Sequence, residues 1–147
     1  MGGAALFQLD EYVLPEVDLQ AQAADAFDKL LLPPAMWTAF PAGHLLLNGQ
    51  QASRLRRIGL KPGWPDHLVL HLGDLIGIEW KKPGAGKLSK SGWGRTKRGK
   101  PRWIEGQTET FEKLTAAGMM GPYVCTSIDH AFHVLKAHGV PMRWREQ

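Results

Sequence analysis

Three charged residues flank two short apolar runs that are typical of buried strands. Asp66 precedes the run HLVLHL, and Glu79 and Lys81 stand on either side of Trp80 at the end of the run LIGIEW. Because strand side chains alternate between faces, Glu79 and Lys81 should share one face while Trp80 points to the other. Carboxylate oxygens are ligands that Mg²⁺ and Mn²⁺ prefer, and a neighbouring ammonium group can orient water and offset charge on a phosphate. The residues therefore indicate a metal site for chemistry on phosphoryl groups.

The two apolar runs are separated by Gly73 and Asp74, a pair that predicts a tight β-hairpin turn. A turn at these positions pairs residue 66 with residue 81. We therefore expect Asp66 opposite Lys81 and diagonal to Glu79, with all three side chains within reach of one ion. The alternative is a cross-strand ion pair of Lys81 with Asp66 on a solvated face, in which Glu79 has no role.

The rest of the chain alternates between helical and strand patterns. Apolar residues at helical spacing predict four helices, which begin at Glu16, at Gln50, at Gln107 and at Ser127 or Asp129. The apolar runs MWTAF and YVCTSI predict two further strands. This order predicts an α/β fold with a central mixed β-sheet flanked by α-helices. A chain of 147 residues suits one domain, here 16–147, preceded by a loosely held arm of residues 1–15.

Composition is that of an ordinary globular protein, with 44% hydrophobic and 22% charged residues. The single cysteine, Cys125, excludes an internal disulfide and a cysteine-based zinc site, and its apolar surroundings predict a core residue. No run approaches the length of a membrane span, and the first residues lack a basic, signal-like start. We therefore expect a cytoplasmic protein with no membrane partner.

Positive charge is concentrated in one segment of the chain. Residues 81–104 contain nine basic residues and no acidic one, whereas the rest of the chain has nine basic and 14 acidic residues. Such a local positive field is typical of contact with polyphosphate, and we expect it to bind the backbone of a nucleic acid. The basic residues expected there besides Lys81 are Lys82, Lys87, Lys90, Arg95, Lys97, Arg98, Lys100 and Arg102. The alternative is a solvated loop whose charge serves solubility.

The same segment is rich in glycine and has no apolar period, so residues 83–106 are predicted to be a long basic loop insertion. Its two tryptophans, Trp93 and Trp103, could stack on unpaired bases or could pin the loop to the body of the protein. Arg54 and Arg57 on the second predicted helix could extend a DNA track or could belong to a solvated face. These alternatives stay open from the sequence.

Pro65-Asp66 followed by Glu79-Trp80-Lys81 resembles the PD-(D/E)XK motif of restriction-endonuclease-like nucleases. Further positions are similar to the VRR-NUC family within that superfamily. These positions are Glu16-x-x-Leu19-Gln20, Asn48-Gly49 with Ala52, Ile58-Gly59-Leu60, Gly63-x-Pro65-Asp66, Gln107 with Phe111, and the closing strand and helix from Thr126 to Gly139. The resemblance covers roughly residues 16–141 and implies a restriction-endonuclease-like core. The insertion at 83–106 departs from it, so the resemblance assigns that segment no role.

The resemblance implies hydrolysis of DNA phosphodiester bonds with Mg²⁺, or Mn²⁺ as its substitute. Substrates would often be branched, such as Holliday junctions, flaps or nicked DNA, and the enzyme would often be a homodimer. By the same resemblance, Asp66 and Glu79 would bind the ion together with the backbone carbonyl of Trp80. Lys81 would be the catalytic lysine, supported by Gln107. A further carboxylate would come from Glu16, for which Asp18 is an equally plausible candidate.

Two other classes of function compete with a nuclease. A non-catalytic nucleic-acid-binding protein would keep the fold and the positive segment without turnover. A structural interaction module would leave the charge asymmetry without a role. Sequence alone leaves open the preferred nucleic acid and the number of bound ions.

Overall fold

The computed structural model describes residues 16–40, 49–84, 88–104 and 106–143. Its elements are α1 (Glu16–Leu30), β1 (Met36–Ala39), α2 (Gly49–Arg57), β2 (His67–His71), β3 (Asp74–Trp80), β4 (Gly92–Arg95), β5 (Pro101–Ile104), α3 (Gln107–Ala116), β6 (Met120–Cys125) and α4 (Ile128–Ala137). The four predicted helices and the strands around Trp37, in the first hairpin and before Thr126 are confirmed. The predicted arm, residues 1–15, lies outside the described residues.

A four-stranded mixed sheet organises these elements in the order β1-β2-β3-β6. Strands β1, β2 and β3 are antiparallel neighbours, and β6 lies parallel to β3. Apolar side chains of α1 and α4 pack on one face of the sheet, and those of α3 pack on the other. The predicted α/β class with helices flanking a mixed sheet is therefore confirmed.

The larger core cluster is centred on Phe27 of α1, which is 1% exposed. Its ring meets those of Trp37, His67, Trp80 and Phe132 at centroid distances between 5.5 and 6.4 Å, mostly edge to face. Such aromatic pairs add stability beyond the apolar area that they bury. This cluster fixes α1 and α4 against the side of β3 that carries Trp80, and it leaves Glu79 to the opposite, α3 side.

The turn between β2 and β3 differs from the predicted one. Pairing ends with His71 opposite Asp74, so the two turn residues are Leu72 and Gly73. Both have positive φ, 47° and 87°, as a type I′ turn requires at its two central positions. The predicted turn was wrong by one residue because this turn type favours glycine at its second central position, not its first. The partner of each residue shifts by two positions, so every side chain keeps its predicted face.

Leu72 is a poor residue for this turn, because a left-handed conformation costs a leucine about 1–2 kcal/mol. Its side chain is also 77% exposed and so contributes little burial. We expect Leu72→Asn to raise the free energy of unfolding by about 1 kcal/mol, since Asn-Gly is a preferred type I′ pair. Urea denaturation measures the change, with Leu70→Asn, at a half-exposed strand position, as the control that gives no gain. A Leu72→Asn protein no more stable than the wild type would contradict the turn assignment.

A second β-hairpin occupies part of the predicted loop insertion. Strands β4 and β5 are antiparallel, with Trp93 directly opposite Trp103. Their turn is closed by a hydrogen bond from the Thr96 amide to the Lys100 carbonyl, and Gly99 supplies the positive φ of 77°. The prediction of a loop without strands was wrong here. The strands are stabilised by one cross-strand aromatic pair instead of an apolar run. Glycines at 92 and 94 interrupt the alternation of apolar and polar residues by which a strand is recognised in a sequence.

Cys125 is fully buried at the end of β6, which confirms the predicted core position, and burial raises the pKa of its thiol to about 12. Across the described residues, none of the helices combines the length and the apolar character needed to cross a bilayer.

Candidate active site

The approach to Asp66 is shaped by close packing against β3 and α3. Gly63 has a φ of 87°, and a Cβ there would lie 2.7 Å from the Thr110 hydroxyl oxygen, so only glycine fits. Pro65 is buried, and a Cβ on Gly77 would come within 2.9 Å of its ring. The two glycines therefore allow the chain before β2 to lie on the sheet, where it brings Asp66 to the α3 side.

Asp66 and Glu79 face each other across β2 and β3. The register that pairs His67 with Ile78, continued by one residue, places Asp66 opposite Glu79. The predicted direct pairing of Asp66 with Lys81 was therefore wrong, for the same reason that the turn was: the register is shifted by two. Directly opposite residues have Cβ atoms about 4.5–5.5 Å apart, so the correction brings the two carboxylates closer together than predicted.

Both carboxylates are buried, Asp66 with 6% and Glu79 with 1% of its surface exposed. The alternative of a cross-strand ion pair on a solvated face is therefore excluded. Buried ionised groups need compensating partners, because desolvation of a charge is costly. The partners present at this site decide what it can bind.

Trp80 is held from both sides of the sheet. Its backbone N–H donates to Asp66 Oδ2 at 2.8 Å, and its indole N–H donates to His67 Nδ1 at 2.9 Å in the core. Burial lowers the pKa of His67 to about 4, so its ring is a neutral acceptor near neutral pH. In an antiparallel pair the N–H and C=O of one residue point to the same neighbour. The Trp80 carbonyl therefore points toward the β2 side, where Asp66 lies.

Glu79 has one satisfied and one unsatisfied oxygen. The side-chain amide of Gln107 donates to Oε1 at 2.8 Å, and Oε2 has no hydrogen-bond partner among the described residues. Burial raises the pKa of Glu79 to about 7, and the negative charge of Asp66 contributes to the rise. The Gln107 hydrogen bond, the Lys81 charge and the Asp66 backbone oppose it. The charged form of Glu79 is therefore only partly compensated at this site.

Lys81 lies just beyond β3, on the same side as Glu79. Its Nζ is 3.8 Å from Glu79 Oε1, and its side chain is 16% exposed. Its backbone N–H donates to the carbonyl of Cys125, which fixes the strand end next to β6. An ammonium group at the rim of two buried carboxylates can reach a molecule that enters from solvent.

Gln107 is positioned by serines that the sequence prediction did not include. Its backbone N–H donates to Ser89 Oγ at 3.0 Å, and the backbone N–H of Gly106 donates to Ser91 Oγ at 2.8 Å. The two serines lie before the second hairpin in the sequence, yet they satisfy amides at the start of α3. A Cβ on Gly106 would lie 2.4 Å from the Lys90 backbone. Only the long-range fold brings these segments together, so local patterns could not show it.

The site suits a hard divalent cation. Mg²⁺ is commonly bound through one or two carboxylates and retains several waters. Asp66 and Glu79 supply two opposed carboxylates, and Glu79 Oε2, which has no hydrogen-bond partner among the described residues, is an available oxygen ligand. Strand geometry directs the Trp80 carbonyl toward strand β2, which Asp66 directly precedes. Within the described ranges, no group of three or more His, Cys, Asp and Glu side chains could hold a metal. Carboxylate and carbonyl oxygens are the kind of ligand that Mg²⁺ and Mn²⁺ prefer.

Other predicted site residues lie elsewhere. Glu16 begins α1, but its side chain lies outside the described part of the structure, as does all of Lys87; Asp18 on α1 is exposed. Arg54 and Arg57 lie on α2, where a surface cavity of about 460 Å³ is lined by Gln50, Ser53, Arg54 and Arg57. The described lining of that cavity does not include the two carboxylates. The remaining predicted DNA contacts are exposed: Lys82, Lys90, Arg95, Lys97, Arg98, Lys100 and Arg102.

Comparison of the chain with protein-family models, with curated proteins and with solved structures gave no match.

Proposed function

We propose that this protein is a metal-dependent nuclease that hydrolyses phosphodiester bonds of DNA. The observation that carries the proposal is the buried, directly opposed pair Asp66 and Glu79, with Lys81 at its rim and Gln107 on Glu79. A purely structural role would not require two carboxylates to face each other in a buried site, because that arrangement destabilises the fold. A bound divalent cation would offset their charge.

Each residue of the site would have a distinct role, which follows from its position. Mg²⁺, when bound by Asp66, Glu79 and the Trp80 carbonyl, would polarise a phosphoryl oxygen and lower the pKa of a water molecule. Lys81 offsets the negative charge that develops at phosphorus and orients the attacking water. Gln107 holds Glu79 Oε1, which would leave Oε2 available as a ligand of a bound ion. His67 and Asp66 hold Trp80 from both sides of the sheet, so the strand end cannot rotate.

The fold supports the family part of the proposal at a coarse level. An antiparallel hairpin carries the Pro65-Asp66 and Glu79-Trp80-Lys81 segments, and β6 extends the sheet in parallel beside β3. We infer a restriction-endonuclease-like core of the VRR-NUC type from this arrangement together with the motif. By the same analogy, a homodimer would place two such sites for paired incisions in branched DNA. Light scattering of the purified protein measures the mass and tests the dimer.

A cleavage assay tests the activity. Purified protein is incubated with four-way junction, flap, nicked and linear duplex DNA, each with Mg²⁺, Mn²⁺ or EDTA. We expect cleavage with either metal and none with EDTA, and faster cleavage of the branched or nicked substrates. Binding to these substrates without cleavage under any metal condition would instead support the non-catalytic nucleic-acid-binding protein. Cleavage that continues in EDTA would overturn the metal mechanism.

A further inference from the structure

The second hairpin presents two tryptophans to solvent. Trp93 on β4 and Trp103 on β5 are 74% and 51% exposed, although large apolar side chains in a folded protein are usually covered. Their rings meet edge to face, with centroids 5.4 Å apart and planes at 73°. The structure therefore does not support the interpretation that these tryptophans pin the segment to the body. They pack on each other and leave aromatic faces free.

The pair stands among positive charges. Arg95 and Pro101 are the next cross-strand pair on the same face, and the turn beyond them carries Lys97 and Arg98. Arg95 also donates to the Gly99 carbonyl at 3.1 Å, which supports the turn. No acidic residue occurs between positions 81 and 104. Aromatic faces beside cations are the arrangement that binds single-stranded nucleic acid, through base stacking and phosphate contacts.

The hairpin is attached directly to the candidate active site. Ser91 accepts a hydrogen bond from Gly106, and Ser89 accepts one from Gln107, whose side chain holds Glu79. Trp93 follows Ser91 by two residues, so their Cα atoms are at most about 7 Å apart. Leu88, just before the serines, packs against the apolar cluster of Phe111, Leu114 and Met119 on the α3 side of the sheet. The base of the hairpin is therefore fixed next to Gln107, the residue whose side chain holds Glu79.

We propose that the Trp93–Trp103 pair is a stacking platform for unpaired bases of the DNA substrate. The platform takes its substrate class from the proposed nuclease function. It explains why tryptophan, and not lysine alone, is placed on this basic hairpin. Because every base has an aromatic face, the platform recognises strand state rather than base sequence. Junctions, flaps and gaps, which expose unpaired bases, are then held with a phosphodiester bond near Asp66 and Glu79.

A binding experiment in EDTA tests the platform without cleavage. The probes are a fluorescently labelled oligothymidylate and a labelled duplex of equal length, and the readout is anisotropy. In the Trp93→Val/Trp103→Val protein, valine keeps the strand propensity and the cross-strand apolar pair but removes the aromatic faces. We expect it to bind oligothymidylate about tenfold more weakly than the wild type and to bind duplex almost unchanged. Trp93→Tyr/Trp103→Tyr keeps aromatic rings and should retain most of the single-strand affinity.

A charge variant is the matched control on the same hairpin. Lys97→Ala/Arg98→Ala should weaken single-strand and duplex binding alike. A plot of the logarithm of the oligothymidylate binding constant against the logarithm of salt concentration has a negative slope. That slope should become shallower by about 0.7 for each phosphate that the protein no longer neutralises. Retained duplex binding and an unchanged melting temperature show that the valine variant is folded. If that folded variant binds oligothymidylate as tightly as the wild type, the platform is wrong.

The outcomes separate this proposal from the nuclease activity. Selective loss of oligothymidylate binding by the valine variant, without cleavage by the wild type under Mg²⁺, would sustain the platform and reject the nuclease. Cleavage by the wild type, together with unchanged oligothymidylate binding by the valine variant, would support the nuclease and reject the platform. Equal losses of duplex and single-strand binding in the valine variant would also overturn the platform, because stacking on unpaired bases cannot explain them.

Discussion

Replacement of Lys81 by alanine is expected to lower the rate of DNA cleavage by about 10²–10³-fold while the protein stays folded. Lys81 Nζ lies 3.8 Å from Glu79 Oε1 at the rim of the carboxylate pair, where it can meet a developing negative charge. The side chain is only 16% exposed, so its charge acts in a partly water-excluded site and is weakly screened. Removing this charge should therefore slow cleavage far more than removing a surface charge would.

Lys82 provides the matched control, because it is adjacent in the chain and exposed. Lys82→Ala should leave the single-turnover cleavage rate close to that of the wild type and should weaken DNA binding only slightly. Rates of both variants are compared at saturating Mg²⁺ on the preferred substrate. If Lys81→Ala cleaves as fast as Lys82→Ala, Lys81 has no catalytic role and the motif assignment fails.

Replacement of Glu79 by glutamine is expected to stabilise the metal-free protein. Glu79 has a pKa raised from 4.5 to about 7, which corresponds to a loss of stability on the order of 3 kcal/mol once the group is ionised. Because the folded-state pKa is the higher one, the wild type loses this stability as pH rises from 4.5 to 7. In EDTA at pH 8, Glu79→Gln should therefore be the more stable protein, and the difference should disappear at pH 4.5.

With divalent metal, the wild type should instead be more stable than Glu79→Gln. A ligand that binds only the folded state adds RT ln(1 + [L]/Kd) to the free energy of unfolding. The wild type gains this stability from Mg²⁺ or Mn²⁺, whereas Glu79→Gln has lost a ligand and gains little. Urea denaturation at pH 8 with EDTA and with metal measures both effects. A Glu79→Gln protein that is less stable than the wild type in EDTA would contradict the view that the charge of Glu79 is only partly compensated in the folded protein.

The sequence predicted the faces of the first hairpin well and its register poorly. Alternation alone places Glu79 and Lys81 on the side opposite Trp80, because the period of two is a property of any strand. The register depends on which two residues take positive φ, and a leucine at Leu72 is hard to anticipate in that role. The error moved partners by two positions and so changed the neighbour of Asp66 without moving it to the other face.

The surroundings of the site were less predictable than its charged residues. Asp66, Glu79, Lys81 and Gln107 were identified from residue type and motif, and the structure brings Gln107 and Lys81 to Glu79. No local sequence pattern indicates the role of Ser89, because it accepts a hydrogen bond from the first residue of a helix that begins 18 residues later in the chain. Tertiary packing of this kind leaves no periodic trace in a single sequence.

The hairpin of Trp93 and Trp103 was hidden for a different reason. Sequence-based identification of strands relies on runs of apolar or β-branched residues. Here glycine and charged residues fill most positions, and a single cross-strand aromatic pair joins the strands. The charge of the segment was evident from the sequence, whereas its shape and the exposure of the two rings became evident only from the structure.

If Asp66 and Glu79 hold one ion between them, the protein should bind Mn²⁺, and this binding should depend on both carboxylates. Calorimetric titration of Mn²⁺ is compared between the wild type and Asp66→Asn, with a single cooperative urea unfolding transition of each protein in EDTA as the check on folding. A site shared by the two carboxylates predicts saturable binding to the wild type and its loss in Asp66→Asn. Identical Mn²⁺ binding by the two proteins, or no saturable binding by the wild type, would contradict it.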